Sequence, residues 1–170
     1  DEELETVSAD LCAVLDAALA AFNEMRGVEG AWLAEDIGNR LRAIEAYTGQ
    51  VEARSPETVA EYRSKLTARM QEVLQSASID PQRILTEAAI YADKVAVDEE
   101  TVSLRSHAAQ LQTMLESTEP MGRKMDFLIQ EVNREDNTIG SKCGDVSIAQ
   151  VVVNLKAEVE KMREQVQNVE

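Results

Sequence analysis

The 170-residue sequence carries 32 acidic and 17 basic side chains, for a formal net charge of −15, with 44% hydrophobic and only 4% aromatic residues. That charge argues against free-standing nucleic-acid binding, whose affinity for phosphates rests on Lys and Arg. No apolar run reaches the roughly 18 residues of a membrane-spanning helix, and the acidic opening DEELETVSAD is not the positive start of a signal peptide.

With seven Gly and three Pro, the chain fits a protein made almost wholly of helices, long enough to bury a sizeable core as one domain. From about Leu4 to Met25 the residues Leu4, Val7, Leu11, Leu15, Phe22 and Met25 recur at helical spacing. Gly27 and Gly30 then interrupt. Whether they make a turn or a kink stays open, because a glycine costs only about 1 kcal/mol inside a helix. Trp32, Leu33, Ile37, Leu41, Ile44, Tyr47 and Val51 carry the pattern on to about Ala53. Ser55 before Pro56 reads as a fresh start, with the serine as N-cap and the proline in the first turn of a third helix running to about Gln75.

Ser76 to Asp80 reads as a turn, and Asp80-Pro81 opens a helix through roughly Lys94 by the same capping logic. After an irregular Val95 to Val97, the acids Asp98, Glu99 and Glu100 load the start of the next helix, as its dipole prefers. That helix runs through Leu104, His107, Leu111 and Leu115. Glu119, Pro120 and Gly122 set it apart from the stretch GRKMDFLIQEVNREDNTIGSK, Gly122 to Lys142. Gly140 to Gly144 forms the last turn, and Asp145 or Ser147 caps a final helix through Val152, Leu155, Val159, Met162 and Val166. The expected architecture is all-α, with long antiparallel helical hairpin arms and a C-terminal helical bundle.

The 122–142 stretch is the candidate site. At about 100° per residue, Arg123, Asp126, Phe127, Gln130, Arg134, Asn137 and Ser141 fall on one side, with Glu131 and Thr138 beside them. Met121, Met125, Leu128, Ile129, Val132 and Ile139 fall on the other. Ordinary solvated faces are rich in Lys and Glu, whereas this one uses amides and hydroxyls that form helices less well. Four basic and four acidic residues between Met121 and Cys143 cancel, so the whole excess of acid lies elsewhere.

Phosphodiester hydrolysis needs a nucleophile and neutralisation of phosphate charge, and a divalent metal on carboxylates supplies both. Asp126, Glu131 and Glu135 are the candidates. Glu131 and Glu135 lie one above the other on the helix, whereas Asp126 is displaced round its axis and converges with them only through a neighbour or a second subunit. The alternative is ion pairing with Lys124, Arg134 and Lys142. Arg123 and Arg134, about three turns apart, are spaced to meet successive phosphates with forked donors, unless Arg134 instead bridges Glu131 or Gln130. His107, the single histidine, is either a general base or a packed residue. Cys12 and Cys143 show no metal-binding spacing and read as reduced thiols of a cytoplasmic protein. No Gly-rich phosphate loop, HExxH, paired CxxC or G-x-S-x-G occurs.

The 122–142 segment followed by LKAEVEKMREQVQNVE resembles the C-terminal signature of the YicC-like family of endoribonucleases, described as stress-induced proteins. Glu99, Glu100, Leu104, Ser106 and His107 fit a weaker upstream pattern, as do Arg26, Glu29 and Gly30, and Gln165, Asn168 and Glu170 repeat the family ending. The family's strand-rich N-terminal half is absent. Ser103, Ala96, Asp136 and Cys143 depart from the family, which has arginine, aspartate, a small neutral residue and serine there. The resemblance implies residues 1–78 as a helical arm region and 79–170 as the C-terminal helical domain. It further implies metal-dependent cleavage of single-stranded RNA, with Mg²⁺ or Mn²⁺, by a homo-oligomer, a ring-shaped hexamer in the full-length protein. The catalytic set would be Asp126, Gln130, Glu131, Arg134, Glu135, Asn137 and His107. Arg123, Lys124, Arg134, Ser141 and Lys142 would contact RNA, and Asp126, Glu131 and Glu135 the metal. The competing class is a non-catalytic helical scaffold that binds a protein partner.

Overall fold

A single helix, α1 (Glu2–Leu74), takes up the first part of the chain. In this computed structural model, which describes residues 2–74, 80–117 and 119–169, it is followed by α2 (Pro81–Val95), α3 (Asp98–Leu115), α4 (Gly122–Lys142) and α5 (Val146–Val166). No strand occurs among the described residues.

The continuity of α1 corrects the expectation of breaks at two places. Gly27 and Gly30 stay helical, and a Cβ at either would meet nothing, so the helix bears only their modest propensity cost. Ser55 does not cap a new helix, because Pro56 lies inside α1. Proline has no N–H for the Glu52 carbonyl and costs about 3 kcal/mol in a helix interior. Contacts with the rest of the fold on both sides of it offset that cost. Val51 and Thr58 are buried. Arg105 of α3 donates to Glu52 through Nε and Nη2, at 2.8 and 2.6 Å. Arg54 donates to Glu57 and Glu61 along α1 and to Asp145 before α5. A local stop signal is thus overridden by tertiary contacts.

Past Pro56, α2 doubles back antiparallel on the end of α1, with the Tyr62 and Tyr91 rings stacked at 3.9 Å. Asp80 caps α2, its carboxylate accepting from the Gln82 N–H at 2.9 Å. The expected turn residues Ser76 to Ile79, and the expected helix end at Gln75, lie outside the described residues. A hairpin therefore forms at this end, whereas every α1 residue from Glu3 to Trp32 is exposed, with Phe22, Met25, Arg26 and Glu29 lining a cleft against Met114, Leu115 and Met121. The N-terminal hairpin arm is not formed.

The bundle consists of α3, α4, α5 and the middle of α1. Ile37, Ile44 and Val51 of α1, Leu104 and Leu111 of α3, Ile129 and Ile139 of α4, and Leu155 and Met162 of α5 are all essentially inaccessible. Each such side chain stabilises the fold by roughly 1.5–3 kcal/mol of transfer free energy. At the α4–α5 crossing the helices come close, for a Cβ on Gly140 would stand 3.2 Å from Val152 Cγ1. Ion pairs tie the bundle's edges. Arg40 bridges Asp36 and Glu158, and Lys142 Nζ lies 2.7 Å from Glu100.

Asp145 joins two of these tasks. Its carboxylate caps α5, accepting from the Ile148 N–H at 3.0 Å, and receives Arg54 Nη2 at 2.8 Å. The Arg54 guanidinium, and then the Ile148 N–H, lower its pKa from 3.8 to about 2. A depressed carboxyl pKa contributes stability above the unfolded value and loses it as pH falls through the folded one. Asp145→Ala should therefore lower stability at pH 7 by roughly 1–2 kcal/mol through the cap. The deficit should shrink as pH falls from about 4 towards 2. Urea unfolding followed by circular dichroism measures both; a deficit unchanged across that range would contradict this role.

Candidate nucleic-acid interface

The rotation of α4 follows from its apolar period. Met125, Leu128, Ile129, Val132 and Ile139 are buried, with Met121 packed against the same core. The opposite face carries Arg123, Phe127, Gln130, Arg134, Asn137 and Ser141, all exposed, flanked by half-buried Asp126, Glu131 and Thr138. The strip expected from the sequence is therefore a surface of the folded chain. Its side chains are partly ordered among themselves: Gln130 Nε2 donates to Asp126 Oδ2 at 2.7 Å, and Asn137 Nδ2 to Asn133 Oδ1 at 3.1 Å.

α5 turns half of this strip into a groove. Gln130, Asn133, Arg134, Asn137, Thr138 and Ser141 line it from α4, above the Ile129 floor, and Arg163 lines it from α5. The lining holds two guanidinium groups, three amides and two hydroxyls, with no carboxylate. Among the described residues each arginine has only a long ion pair within its own helix, Arg134 to Glu131 at 3.7 Å and Arg163 to Glu160 at 3.8 Å, and such pairs hold a side chain weakly. Sequence reasoning counted Asn133 among the amides of the strip but left Arg163 out of the site. Arg163 sits inside the terminal segment that carried the family resemblance, but only the packing of α5 on α4 shows which way it points.

The remaining candidates lie elsewhere. Glu131 and Glu135 are half-buried on α4 and do not line the groove. The Lys142 ammonium is engaged by Glu100 of α3, whose hydrogen bond raises its pKa, so it is a structural cross-link before it is an RNA contact. Arg123 and Lys124 are exposed in the first turns of α4, outside the groove. His107 of α3 does not line it either. Its Nδ1 is buried without a hydrogen-bond partner, an atom facing the packed interior of the bundle. Among the described residues, no three His, Cys, Asp or Glu side chains cluster closely enough to hold a metal ion. Among those residues Asp126, Glu131 and Glu135 do not converge, since Glu131 and Glu135 lie one above the other on α4 while Asp126 is displaced round its axis. Cys143 donates its thiol to the Gly140 carbonyl at 3.2 Å, and burial raises its pKa.

Beneath the groove lies an unexpected group. Asp136 is 0% exposed and neither carboxyl oxygen has a partner. Burial pushes its pKa from 3.8 up to about 7, against a smaller opposing pull from Lys156. Asp136 falls among the apolar residues of α4. The rotation is as expected, and the acid is simply buried.

Residues 51–170 match the family described as "Endoribonuclease YicC-like, C-terminal". Across its full length the chain is 44% identical to a protein of Clostridioides difficile (strain 630) named "Probable endoribonuclease YicC". It is 36% identical to a protein of the same name from Haemophilus influenzae (strain ATCC 51907 / DSM 11121 / KW20 / Rd). In both cases the chain spans 58% of the relative's length.

The buried Asp136 sets a pH dependence opposite to that of Asp145. A carboxyl whose folded pKa is raised contributes most below its unfolded pKa, and that contribution is lost as pH rises through the folded value. The penalty thus builds between about pH 4 and pH 7 and is constant above. Asp136→Ala should stabilise the chain at pH 8 by roughly 2 kcal/mol, less than the full linkage term because truncation leaves a small void. The gain should vanish near pH 4. Thermal melts at the two pH values check this, and a destabilised variant at pH 8 would show that Asp136 has a partner.

Proposed function

The chain belongs to the YicC-like endoribonuclease family, and from that premise we propose that it is the RNA-handling helical part of an endoribonuclease whose α4–α5 groove receives the phosphodiester backbone. The observation that carries this reading is the pairing of Arg134 with Arg163 across two helices, in a lining free of carboxylate, on a chain of net charge −15. Forked guanidinium donors suit phosphate oxygens, and the amides of Gln130, Asn133 and Asn137 can donate to phosphate or ribose. Phe127, exposed one turn from Glu131 and two from Arg134, offers an apolar ring on which a base can stack.

The groove lining holds no carboxylate, imidazole or thiol, so the groove fits binding and charge neutralisation rather than proton transfer. Glu131 and Glu135, on the adjoining flank, are the carboxylates placed to act on a strand lying across α4. The divalent cation implied by the resemblance, Mg²⁺ or Mn²⁺, has no ready set of ligands among the described residues. We assign its binding to the assembled protein, where a second copy or the remaining part of the longer chain adds ligands to Asp126, Glu131 and Glu135. A homo-hexamer of the full-length protein is part of the same reading. So is a cytoplasmic location, with which the free thiols of Cys12 and Cys143 are compatible. No helix among the described residues is long and apolar enough to cross a membrane. A second reading, a scaffold without catalysis, is favoured by the exposed first part of α1. Nuclease activity of the full-length protein with and without divalent metal separates the two.

In the full-length protein, Arg134→Lys keeps the charge but loses the fork, and Arg134→Met keeps the apolar stem but loses the charge. RNA affinity should fall in the order wild type, Lys, Met, by roughly tenfold or more at the last step, as expected for a lost charge-assisted hydrogen bond. Arg163→Met should match Arg134→Met. Stability should change by less than about 1 kcal/mol in each, because both ion pairs are exposed. Filter binding and thermal melts test this; undiminished affinity in both Met variants removes the groove from RNA binding.

Glu131→Gln keeps the shape of the side chain and removes its charge. It should leave helicity intact while suppressing cleavage of a single-stranded RNA, measured as product formed over time. Wild-type rates would take Glu131 out of the reaction.

A further inference from the structure

The hydroxyls that line the groove between α4 and α5 have no hydrogen left to give. Thr138 Oγ1 donates to the Arg134 carbonyl at 3.1 Å, and Ser141 Oγ donates to the Thr138 carbonyl at 2.9 Å. A hydroxyl carries one hydrogen, so towards the groove both oxygens only accept. Gln130 Nε2 donates to Asp126 Oδ2 at 2.7 Å. Because a carboxylate accepts, that contact fixes which end of the Gln130 amide is nitrogen and leaves its Oε1 as an acceptor. Asn137 Nδ2 donates to Asn133 Oδ1 at 3.1 Å, which leaves Asn137 Oδ1 as a further acceptor. Interleaved with these oxygens, the charged donors of the lining are the guanidiniums of Arg134 and Arg163.

This division of donors and acceptors restricts what fills the groove, given the reading above that it receives a phosphodiester backbone. Phosphate oxygens accept, so they answer the guanidiniums but not a carbonyl or a hydroxyl whose hydrogen is engaged. Deoxyribose offers such a wall no donor. Ribose does, through the 2′-hydroxyl, the group by which a protein tells RNA from DNA. Base edges carry donors too, but Thr138 and Ser141 are short side chains bonded back to their own helix, and they reach only what lies directly on α4. For a strand whose phosphates are held by Arg134 and Arg163, that is the sugar. The acceptors also run along the groove instead of meeting at one point: Ser141 stands one turn beyond Asn137, about 6 Å at 1.5 Å per residue, and Gln130 two turns before it. We propose that Gln130, Asn137 and Ser141 accept hydrogen bonds from ribose 2′-hydroxyls, so that the groove selects RNA over DNA at the binding step.

Filter binding of the full-length protein to single strands of one sequence, built on ribose, 2′-fluororibose or deoxyribose, tests this. The 2′-fluoro strand keeps an RNA-like sugar shape and removes only the donor. The ribose strand should bind roughly tenfold or more tightly than either of the others, as expected for the loss of two or more neutral hydrogen bonds. Gln130→Met combined with Ser141→Ala removes two of the acceptors at exposed positions where Met and Ala are good helix formers. In that variant the preference for ribose should fall to less than about threefold. Equal binding of the ribose and 2′-fluoro strands would mean that sugar shape is read, and would overturn the proposal. So would a preference that the combined variant leaves intact. Arg134→Met and Arg163→Met separate this proposal from the reading beneath it. If they weaken all three strands while the strands stay undistinguished, the backbone lies in the groove and the acceptors do not read it; if neither weakens any strand, both readings fall.

Discussion

The burial of one face of α4 between α3 and α5 is the constraint on which the rest of the site depends. Leu128, Ile129, Val132 and Ile139 are too apolar to face water, and removing them from it fixes the rotation of the helix. Once that face is fixed, Gln130, Arg134, Asn137 and Ser141 have nowhere to go but outward. Gly140 then decides how near α5 can come. With no side chain at the crossing, Val152 packs close against the α4 backbone, and three turns further along α5 Arg163 reaches the same groove as Arg134. A side chain at Gly140 would press on Val152 at this crossing without touching any polar group of the groove.

The electrostatics of the chain sort its arginines into two kinds. Arg40, Arg54 and Arg105 each make at least one short bond to a carboxylate of another element and brace the bundle. Arg134 and Arg163 have only long pairs to neighbours on their own helices, so a phosphate can displace those partners at little cost. The acid that gives the chain its charge lies off α4, whose own charges cancel, with the first part of α1 especially rich in it. A strongly acidic protein can therefore present a surface suited to a polyanion, provided ionic strength and local counterions screen the rest.

Much of this was legible in the sequence wherever a local chemical signal agreed with the global packing. Asp80-Pro81, the acids at 98–100 and Asp145 mark helix starts that the structure reproduces, because capping and dipole effects act within a turn. The strip on α4 was legible for the same reason, as periodicity alone sets which residues share a face. Ser55-Pro56 is an equally strong local signal, and it misled. Its effect is reversed by Glu52 and Arg54, whose partners on α3 and before α5 lie 53 and 91 residues away in the chain. Arg163 was not legible as a site residue, since its role comes from a helix crossing. Helical spacing did show that Asp126 is displaced from Glu131 and Glu135, but not what stands opposite α4.

The central claim is that RNA lies along α4 in the groove closed by Arg163. Photocrosslinking the full-length protein to a single-stranded RNA bearing photoreactive bases, and mapping the attachment by mass spectrometry, tests it most directly. Crosslinks should fall on peptides containing Phe127 to Ser141 and Arg163, and competitor RNA should abolish them. Crosslinks confined to α1, α2 or α3, with none on these peptides, would contradict the account.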